Sequence, residues 1–202
     1  MRNQKRNSMG RIILLFVLFL LIGQTGYAQT HQEFFTRSLD INRSGMYFLG
    51  GWALANMAVG SYGWARYSGD IRYFHQMNAA WNLVNAAIAT YALFDIAGTD
   101  ISLLTDSEIM RKQIRTENIF LINAGLDLLY MAGGAWMIHA STQREKHRDL
   151  LKGYGQAVIL QGAFLFLFDL VKFGIQYNHR QNFHSTPQLG FSSDGLTLLF
   201  PF

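Results

Sequence analysis

The order of hydrophobic and polar positions along the chain follows the period of an α-helix. The clearest case is the segment 73–94, where His75, Asn78, Asn82 and Asn85 recur at intervals of three and four residues. On a helix with about 3.6 residues per turn, these four side chains lie on one face. Apolar side chains occupy the rest of the surface. A helix that hides amides and exposes apolar groups is typical of one wall of a bundle in lipid.

Four segments of the chain have the length and the apolar character of transmembrane helices, namely residues 46–65, 73–98, 119–140 and 154–177. The first carries no charged residue, and about 20 such residues are needed to cross a bilayer. The connection between the first two is short, so they are antiparallel neighbours. The pattern therefore predicts an all-α membrane protein, in which residues 45–178 form an antiparallel bundle of four transmembrane helices.

The N-terminal residues 1–28 have the features of a secretory signal peptide. A basic start is followed by an unbroken apolar run from Ile12 to Ile22, and small residues precede Gln29. An uncleaved N-terminal anchor is the alternative, and both interpretations put Gln29 on the exported side. We expect residues 29–44 to form a short exported segment that lies on the membrane surface as one or two amphipathic turns.

The C-terminal tail, residues 179–202, differs in character from the helices. Two short apolar runs flank Asp194 and Gly195, a turn signal that predicts a short β-hairpin. A lone hairpin is marginally stable in water, so we expect it to pack on the bundle, a partner or the bilayer. The basic connection 141–152 favours the cytoplasmic side. The prediction is thus a multi-pass inner-membrane protein whose mature N- and C-termini are both periplasmic.

The composition narrows the classes of function. Charged residues make up 15% of the chain, against about 25% in soluble domains. The net charge is +4, but no basic stripe interleaved with aromatic residues is present, which argues against nucleic-acid binding. The chain has no cysteine, so disulfides and thiolate chemistry are excluded. The mean hydropathy of +0.09 is low for a membrane protein, and we attribute this to polar loops and to amides inside the helices.

Polar side chains inside the predicted spans are costly in lipid and should face one another. They form a predicted polar core, or a ligand or ion site, that comprises His75, Asn78, Asn82, Asn85, Asn56, Asp127, Gln161, Asp169 and Lys172. Helical rise puts Asn56 and Asn85 at the depth of the two aspartates, with Asn78 and Gln161 nearer the cytoplasm. Both aspartates should be paired or protonated. Lys172 is the expected partner of Asp169, unless it extends outward to water.

This polar core has two interpretations. Its side chains either hold the helices together, at about 0.6–2 kcal/mol each, or they form a polar pathway or a small-solute site. His75 and His139 fall near the cytoplasmic ends of adjacent spans. Two histidines without an obvious carboxylate to orient them are a weak signal for a metal or a haem. The sequence therefore predicts no metal and no cofactor.

No catalytic motif stands out, so an enzyme is not predicted. The first hypothesis is a non-enzymatic inner-membrane protein, in contact with membrane lipid, that docks a protein partner or a second copy through its exported loop and tail. The alternative is a small transport or proton-relay subunit that uses Asp127 and Asp169. An intramembrane enzyme that uses an aspartate and a histidine is a third, weaker hypothesis.

One stretch resembles a known family. The run from Phe74 to Asn85 reads FHQMNAAWNLVN, and Leu49-Gly50-Gly51-Trp52 precedes it. Together they resemble an uncharacterised family of small bacterial multi-pass membrane proteins, over about residues 45–180. The resemblance implies a four-span bundle behind an export signal. It carries over no activity, cofactor or catalytic residue.

Overall fold

The structure, a computed structural model, describes residues 29–184 and two strands within 188–199. The signal peptide predicted at 1–28 and the turn at Asp194 lie outside the described residues. Two compact units are present, and the helical unit comprises Thr30–Phe183. In the other unit, β1 (Gln188–Ser192) pairs antiparallel with β2 (Gly195–Leu199).

Four long α-helices make up the helical unit: α1 (His31–Arg66), α2 (Gly69–Gly98), α3 (Asp106–Ser141) and α4 (Arg148–His184). Short 3-10 turns occupy Ile101–Leu103 and Glu145–His147. The all-helical character of residues 30–183 is as predicted. The helices contain 36, 30, 36 and 37 residues. At about 1.5 Å per residue, each is longer than the roughly 30 Å hydrocarbon core of a bilayer.

All four helices extend beyond the predicted spans, and this corrects the sequence interpretation. The segment 29–44 is not a separate surface segment, because α1 begins at His31, where Thr30 and Glu33 form a capping box. A second capping box, between Thr105 and Glu108, starts α3 inside the predicted 99–118 connection. The physical reason is simple: a charged residue ends an apolar span, but it does not end a helix.

The helices run antiparallel, which gives the bundle two distinct ends. At the terminal end, where α1 begins and α4 ends, Phe34, Phe35, Ile109 and Phe183 form a buried apolar cluster. The other end, which we call the turn end, holds the two short connections, 67–68 and 142–147. Across it, Lys152 Nζ lies 2.7 Å from an Asp70 carboxylate oxygen. The hydrogen bond from Lys152 holds the pKa of Asp70 below its usual value.

The helical unit buries many polar side chains beside fourteen apolar ones, and it exposes many large apolar side chains. Large apolar side chains are exposed along the helices, among them Tyr91 at 75% and Leu129 at 67%. Buried side chains include twelve polar or charged ones, namely Ser38, Asn78, Asn82, Asn85, Gln113, Glu117, Asp127, Ser141, Gln161, Asp169, Lys172 and Gln176. Two helices, α3 and α4, are long and apolar enough to cross a membrane by length and composition.

Glycine brings α3 and α4 into close backbone contact. A Cβ atom on Gly134 would lie 2.7 Å from the Gly155 carbonyl oxygen, whereas one on the adjacent Gly133 would meet nothing within 4 Å. We therefore expect Gly134→Ala to destabilise the bundle by about 1–3 kcal/mol. Gly133→Ala is the matched control and should be stabilising by up to about 1 kcal/mol, because alanine favours a helix. Unfolding in mixed detergent micelles measures both, and equal effects would contradict this packing.

Candidate functional site

The polar stripe of α2 forms a ladder of amide hydrogen bonds. Asn82 Nδ2 donates to the Asn78 carbonyl oxygen at 2.8 Å, and Asn85 Nδ2 donates to Asn82 Oδ1 at 3.3 Å. The three side chains are at most 4% exposed. Their burial follows from the three- and four-residue spacing, which keeps them on the face of α2 that packs inside the bundle.

The ladder is linked to two other helices at its first residue, Asn78. Asn78 Nδ2 donates to Asn56 Oδ1 of α1 at 3.0 Å, and Gln161 of α4 donates to Asn78 Oδ1. Trp52 Nε1 in turn donates to Gln161 Oε1 at 3.1 Å. Asn56 therefore lies with Asn78 and Gln161, not at the depth of Asn85 as we expected. The expectation failed because rise along a helix fixes depth only when the helices start at the same level.

Asn78 is the centre of this network, so its removal should cost the most. Asn78→Leu leaves Oδ1 of the half-buried Asn56 and Nε2 of the buried Gln161 without their partner, and we expect a loss of about 2 kcal/mol of stability. Asn123→Leu is the control, since Asn123 is exposed on α3 and its replacement should leave stability unchanged or higher. Unfolding in mixed micelles tests both, and a neutral Asn78→Leu would show that the network is not structural.

The two histidines considered for a metal have different surroundings. The His75 ring stacks on Tyr67 with centroids 5.4 Å apart, and its Nδ1 atom is buried without a hydrogen-bond partner. His139 is exposed and its ring contacts Gln143 at 3.2 Å. In residues 29–183, no group of three or more His, Asp or Glu side chains could hold a metal ion.

A cavity of about 670 Å³ opens between α2 and α3 and reaches the two intramembrane aspartates of the sequence analysis. Asn85, Asp127 and Asp169 line it together, and Trp81 and Tyr130 form an aromatic wall with ring centroids 5.1 Å apart. The other walls are mostly apolar side chains from all four helices, and two exposed basic residues of α3, Lys112 and Arg115, also line the cavity. The cavity has the size and mixed lining of a small-molecule site.

Asp127 and Asp169 lie within hydrogen-bonding reach of each other, and such a bond requires a proton on one carboxyl. Asp127 is 3% exposed, and its Oδ2 atom receives no hydrogen bond from an amide, a hydroxyl or a cation. Of the ion pairs among the described residues, none includes either aspartate. The pair is therefore a buried acidic site that the protein itself leaves without a counter-charge.

The predicted pair between Lys172 and Asp169 is wrong, and so is the alternative that Lys172 extends outward to water. Lys172 is 4% exposed, its Nζ donates to the Ile41 carbonyl oxygen at 2.6 Å, and it lies 5.4 Å from the Phe120 ring centroid. Their spacing of three residues puts Lys172 and Asp169 on the same side of α4. The Lys172 side chain nevertheless contacts Ile41, whereas the Asp169 side chain contacts Asp127.

A second polar cluster, at the terminal end, was missed by the sequence analysis. Gln176 Nε2 donates to Asn42 Oδ1 at 2.8 Å and to the Ser38 carbonyl oxygen at 3.0 Å. Gln113 Nε2 donates to Glu117 Oε1 at 3.0 Å. Gln176 lies inside the predicted fourth span, but its partners Ser38 and Asn42 fall in the predicted exported segment 29–44, and Gln113 and Glu117 fall between the predicted second and third spans. The four-residue spacing of Gln113 and Glu117 was an available signal.

Arg180 completes the terminal cluster through an ion pair with Glu117. Its Nε and a terminal nitrogen each contact a carboxylate oxygen of Glu117 at 2.9 Å, and Glu117 is 3% exposed. The hydrogen bonds to Glu117 raise the pKa of Arg180. A bidentate pair of this kind fixes α4 against α3.

The fold and the site define a class: an all-helical protein with a polar interior, an apolar surface and two helices that could span a membrane. Residues 48–170 match DUF6992, a family of unknown function, and the chain belongs to that family. The matched region contains the amide ladder and both aspartates. No curated protein and no solved structure matches the chain.

Proposed function

We propose that this protein is a non-enzymatic integral membrane protein that binds a small organic cation between α2 and α3. The observation that carries the proposal is the cavity in which the buried carboxyl of Asp127 lacks a counter-charge beside Asp169. Asp127 and Asp169 are also the two aspartates of the transport or proton-relay hypothesis. The present proposal adds the class of ligand that they bind.

Membrane integration is supported by the exposed apolar surface. Tyr62, Phe94, Leu129 and Leu167 are each at least 63% exposed, and burying such surface in lipid is strongly favourable. We place the spans at residues 46–65, 73–98, 119–140 and 154–177. The terminal end then projects beyond the bilayer on the exported side. The turn end carries several Arg and Lys side chains, which favours the cytoplasmic side of the inner membrane.

The lining of the cavity favours an organic cation over an inorganic one. A volume of about 670 Å³ is far larger than one desolvated metal ion. Most of the residues that line the cavity are apolar, whereas an inorganic cation prefers a complete shell of oxygen ligands. Trp81 and Tyr130 offer aromatic rings near the acidic pair, and such rings attract ammonium groups. The apolar walls would contact the hydrocarbon part of the same molecule.

A proton exchange keeps the site neutral in this proposal. With both carboxyls protonated, the empty site has no net charge, which suits its burial. When a monovalent cation enters, one carboxyl releases its proton to water and the resulting carboxylate pairs with the cation. One positive charge leaves and one enters, so the buried site never holds an unbalanced charge. Because one proton is released for each cation bound, cation binding at these two carboxyls is coupled to the proton gradient.

The topology can be tested with single cysteines, because the natural chain has none. Ser102→Cys lies in the connection at the terminal end, and Gln143→Cys lies in the connection at the turn end. In intact cells, a membrane-impermeant maleimide should label only the first, and lysis should make the second reactive. Labelling of both in intact cells, or recovery of the protein from the soluble fraction, would overturn membrane integration.

The ligand class can be tested with a permanent cation and its neutral analogue. Benzyltrimethylammonium and neopentylbenzene have the same shape but differ in charge. The purified full-length chain in detergent should bind only the cation, and a weakly buffered solution should acidify by about one proton per cation bound. Equal binding of both compounds, or binding of neither, would overturn the proposal.

A second candidate function, docking of a protein partner through the tail, is favoured by one observation. Among the described strands, β1 pairs only with β2. Each strand therefore has an outer edge to which a partner strand could add. Deletion of residues 185–202 should then remove crosslinked complexes in membranes and leave cation binding intact. Unchanged complexes would eliminate this candidate.

A further inference from the structure

A second cavity, of about 720 Å³, lies between α1 and α4, and of its lining residues only Phe168 also lines the proposed cation site. Its walls are apolar over most of their area, and Phe48, Phe164 and Leu167 form part of them. The Phe48 and Phe164 rings stack with centroids 6.1 Å apart. We call this cavity the α1/α4 groove. In the proposed topology, this apolar groove lies on a surface that faces lipid.

The buried end of the groove holds a cation. Lys172 lines the groove and is 4% exposed, and one Nζ hydrogen bond goes to the Ile41 carbonyl oxygen. A lysine ammonium has three donors, and the described residues provide no carboxylate within ion-pair distance of Lys172. Gly45 makes room for it, since a Cβ there would lie 2.8 Å from the lysine Cε. The lysine is thus built into the groove without an anionic partner.

The rim of the groove holds a second cation. Arg37 lines the groove, is exposed and forms no ion pair with a described residue. Asp40, an acidic residue of the groove, is already bound to Arg43 at 2.6 Å. Arg37 lies four residues before Ile41, which is about 6 Å along the helix. The α1/α4 groove therefore contains two positive charges beside its apolar walls, one exposed on Arg37 and one buried on Lys172.

We propose that the α1/α4 groove binds one anionic phospholipid of the exported leaflet. The phosphate would lie between Arg37 and Lys172, and one acyl chain would follow Phe48, Phe164 and Leu167 towards the bilayer centre. Two cations with apolar walls are complementary to a lipid that combines phosphate with hydrocarbon. A second copy of the chain or the tail of the same chain would satisfy the apolar walls but would leave both cations unpaired. The proposal rests on membrane integration and not on cation binding.

Native mass spectrometry of the full-length protein in nanodiscs tests the proposal. Protein released from phosphatidylglycerol nanodiscs should keep one bound lipid. At the same collision energy, protein released from phosphatidylcholine nanodiscs should lose its lipid. Lys172→Met should weaken retention about tenfold and Arg37→Gln about fivefold. Arg111→Gln, on an exposed arginine of α3, is the matched control and should not change it. Asp127→Asn should also retain the lipid, which separates this site from the cation site.

Three results would overturn the proposal. Equal retention of phosphatidylcholine would show that the headgroup charge is not recognised. Loss of lipid with the appearance of a dimer would assign the groove to a second copy. Retention that survives Arg37→Gln and Lys172→Met would place the lipid elsewhere. Because Arg37 is exposed, Arg37→Gln should fold normally even if Lys172→Met does not. Circular dichroism before and after heating measures the folding of both variants.

Discussion

The double variant Asp127→Asn/Asp169→Asn should reduce benzyltrimethylammonium affinity at least about a hundredfold and abolish the proton release that accompanies binding. The reason is that an amide can neither lose a proton nor provide the negative charge that a buried cation requires, and a buried charge pair is worth several kcal/mol. Isothermal titration in buffers of different ionisation enthalpy measures affinity and proton release together. Asparagine has nearly the same shape as aspartate, so the cavity itself should be unchanged.

The control for this prediction is Asp95→Asn. Asp95 lines the same cavity but is exposed, so solvent screens its charge and its replacement should change affinity by no more than about twofold. Stability provides a second criterion. Removing an uncompensated buried carboxyl should leave the bundle as stable as before or more stable. Normal binding of benzyltrimethylammonium by a variant that lacks both aspartates would rule out the proposed site.

Arg180→Met should cause the largest loss of stability, about 3–5 kcal/mol. The substitution leaves the Glu117 carboxylate, which is 3% exposed, without its bidentate partner, and an unpaired buried charge costs that amount. Chemical unfolding of the purified protein in detergent, monitored by circular dichroism, gives the free energy. Because Arg180 and Glu117 join α4 to α3 at the terminal end, local opening of that end should appear first in hydrogen exchange.

Two further variants test this interpretation. Adding Glu117→Gln to Arg180→Met should restore much of the lost stability, since the buried charge is then removed with its partner. Arg111→Met breaks an exposed pair with Glu108 at 3.9 Å and should leave the unfolding transition where it was. An Arg180→Met protein as stable as the Arg111→Met protein would show that the terminal cluster does not hold the helices together.

Several features of the helical unit follow from spacing along single helices. The amide stripe of α2 is one of them: Asn78, Asn82 and Asn85 are buried because their spacing matches the helical period. The capping box of Thr105 and Glu108 is of the same kind, because its two residues are only three positions apart. Local sequence can specify such features because each depends only on residues within one or two turns.

Contacts between helices could not be read from the sequence. The expected pair of Lys172 with Asp169 is replaced by a hydrogen bond from Lys172 to Ile41 and by the approach of Asp169 to Asp127. Asn56 likewise bonds to Asn78. The choice among these partners depends on how each helix is rotated about its axis and where it crosses its neighbours. The spacing of residues along one helix contains neither quantity.

The sequence by itself determined that the mature chain forms four long helices and that amides line the inner face of α2, with apolar side chains on the rest of its surface. Only the tertiary structure decided that α2 and α3 stand apart around a cavity, that two carboxyls meet in it, and that a lysine is buried in the α1/α4 groove. Periodicity fixes which face of a helix is polar. The meeting of faces from different helices requires the packed bundle, in which glycine contacts and buried hydrogen bonds set the rotation of every helix at once.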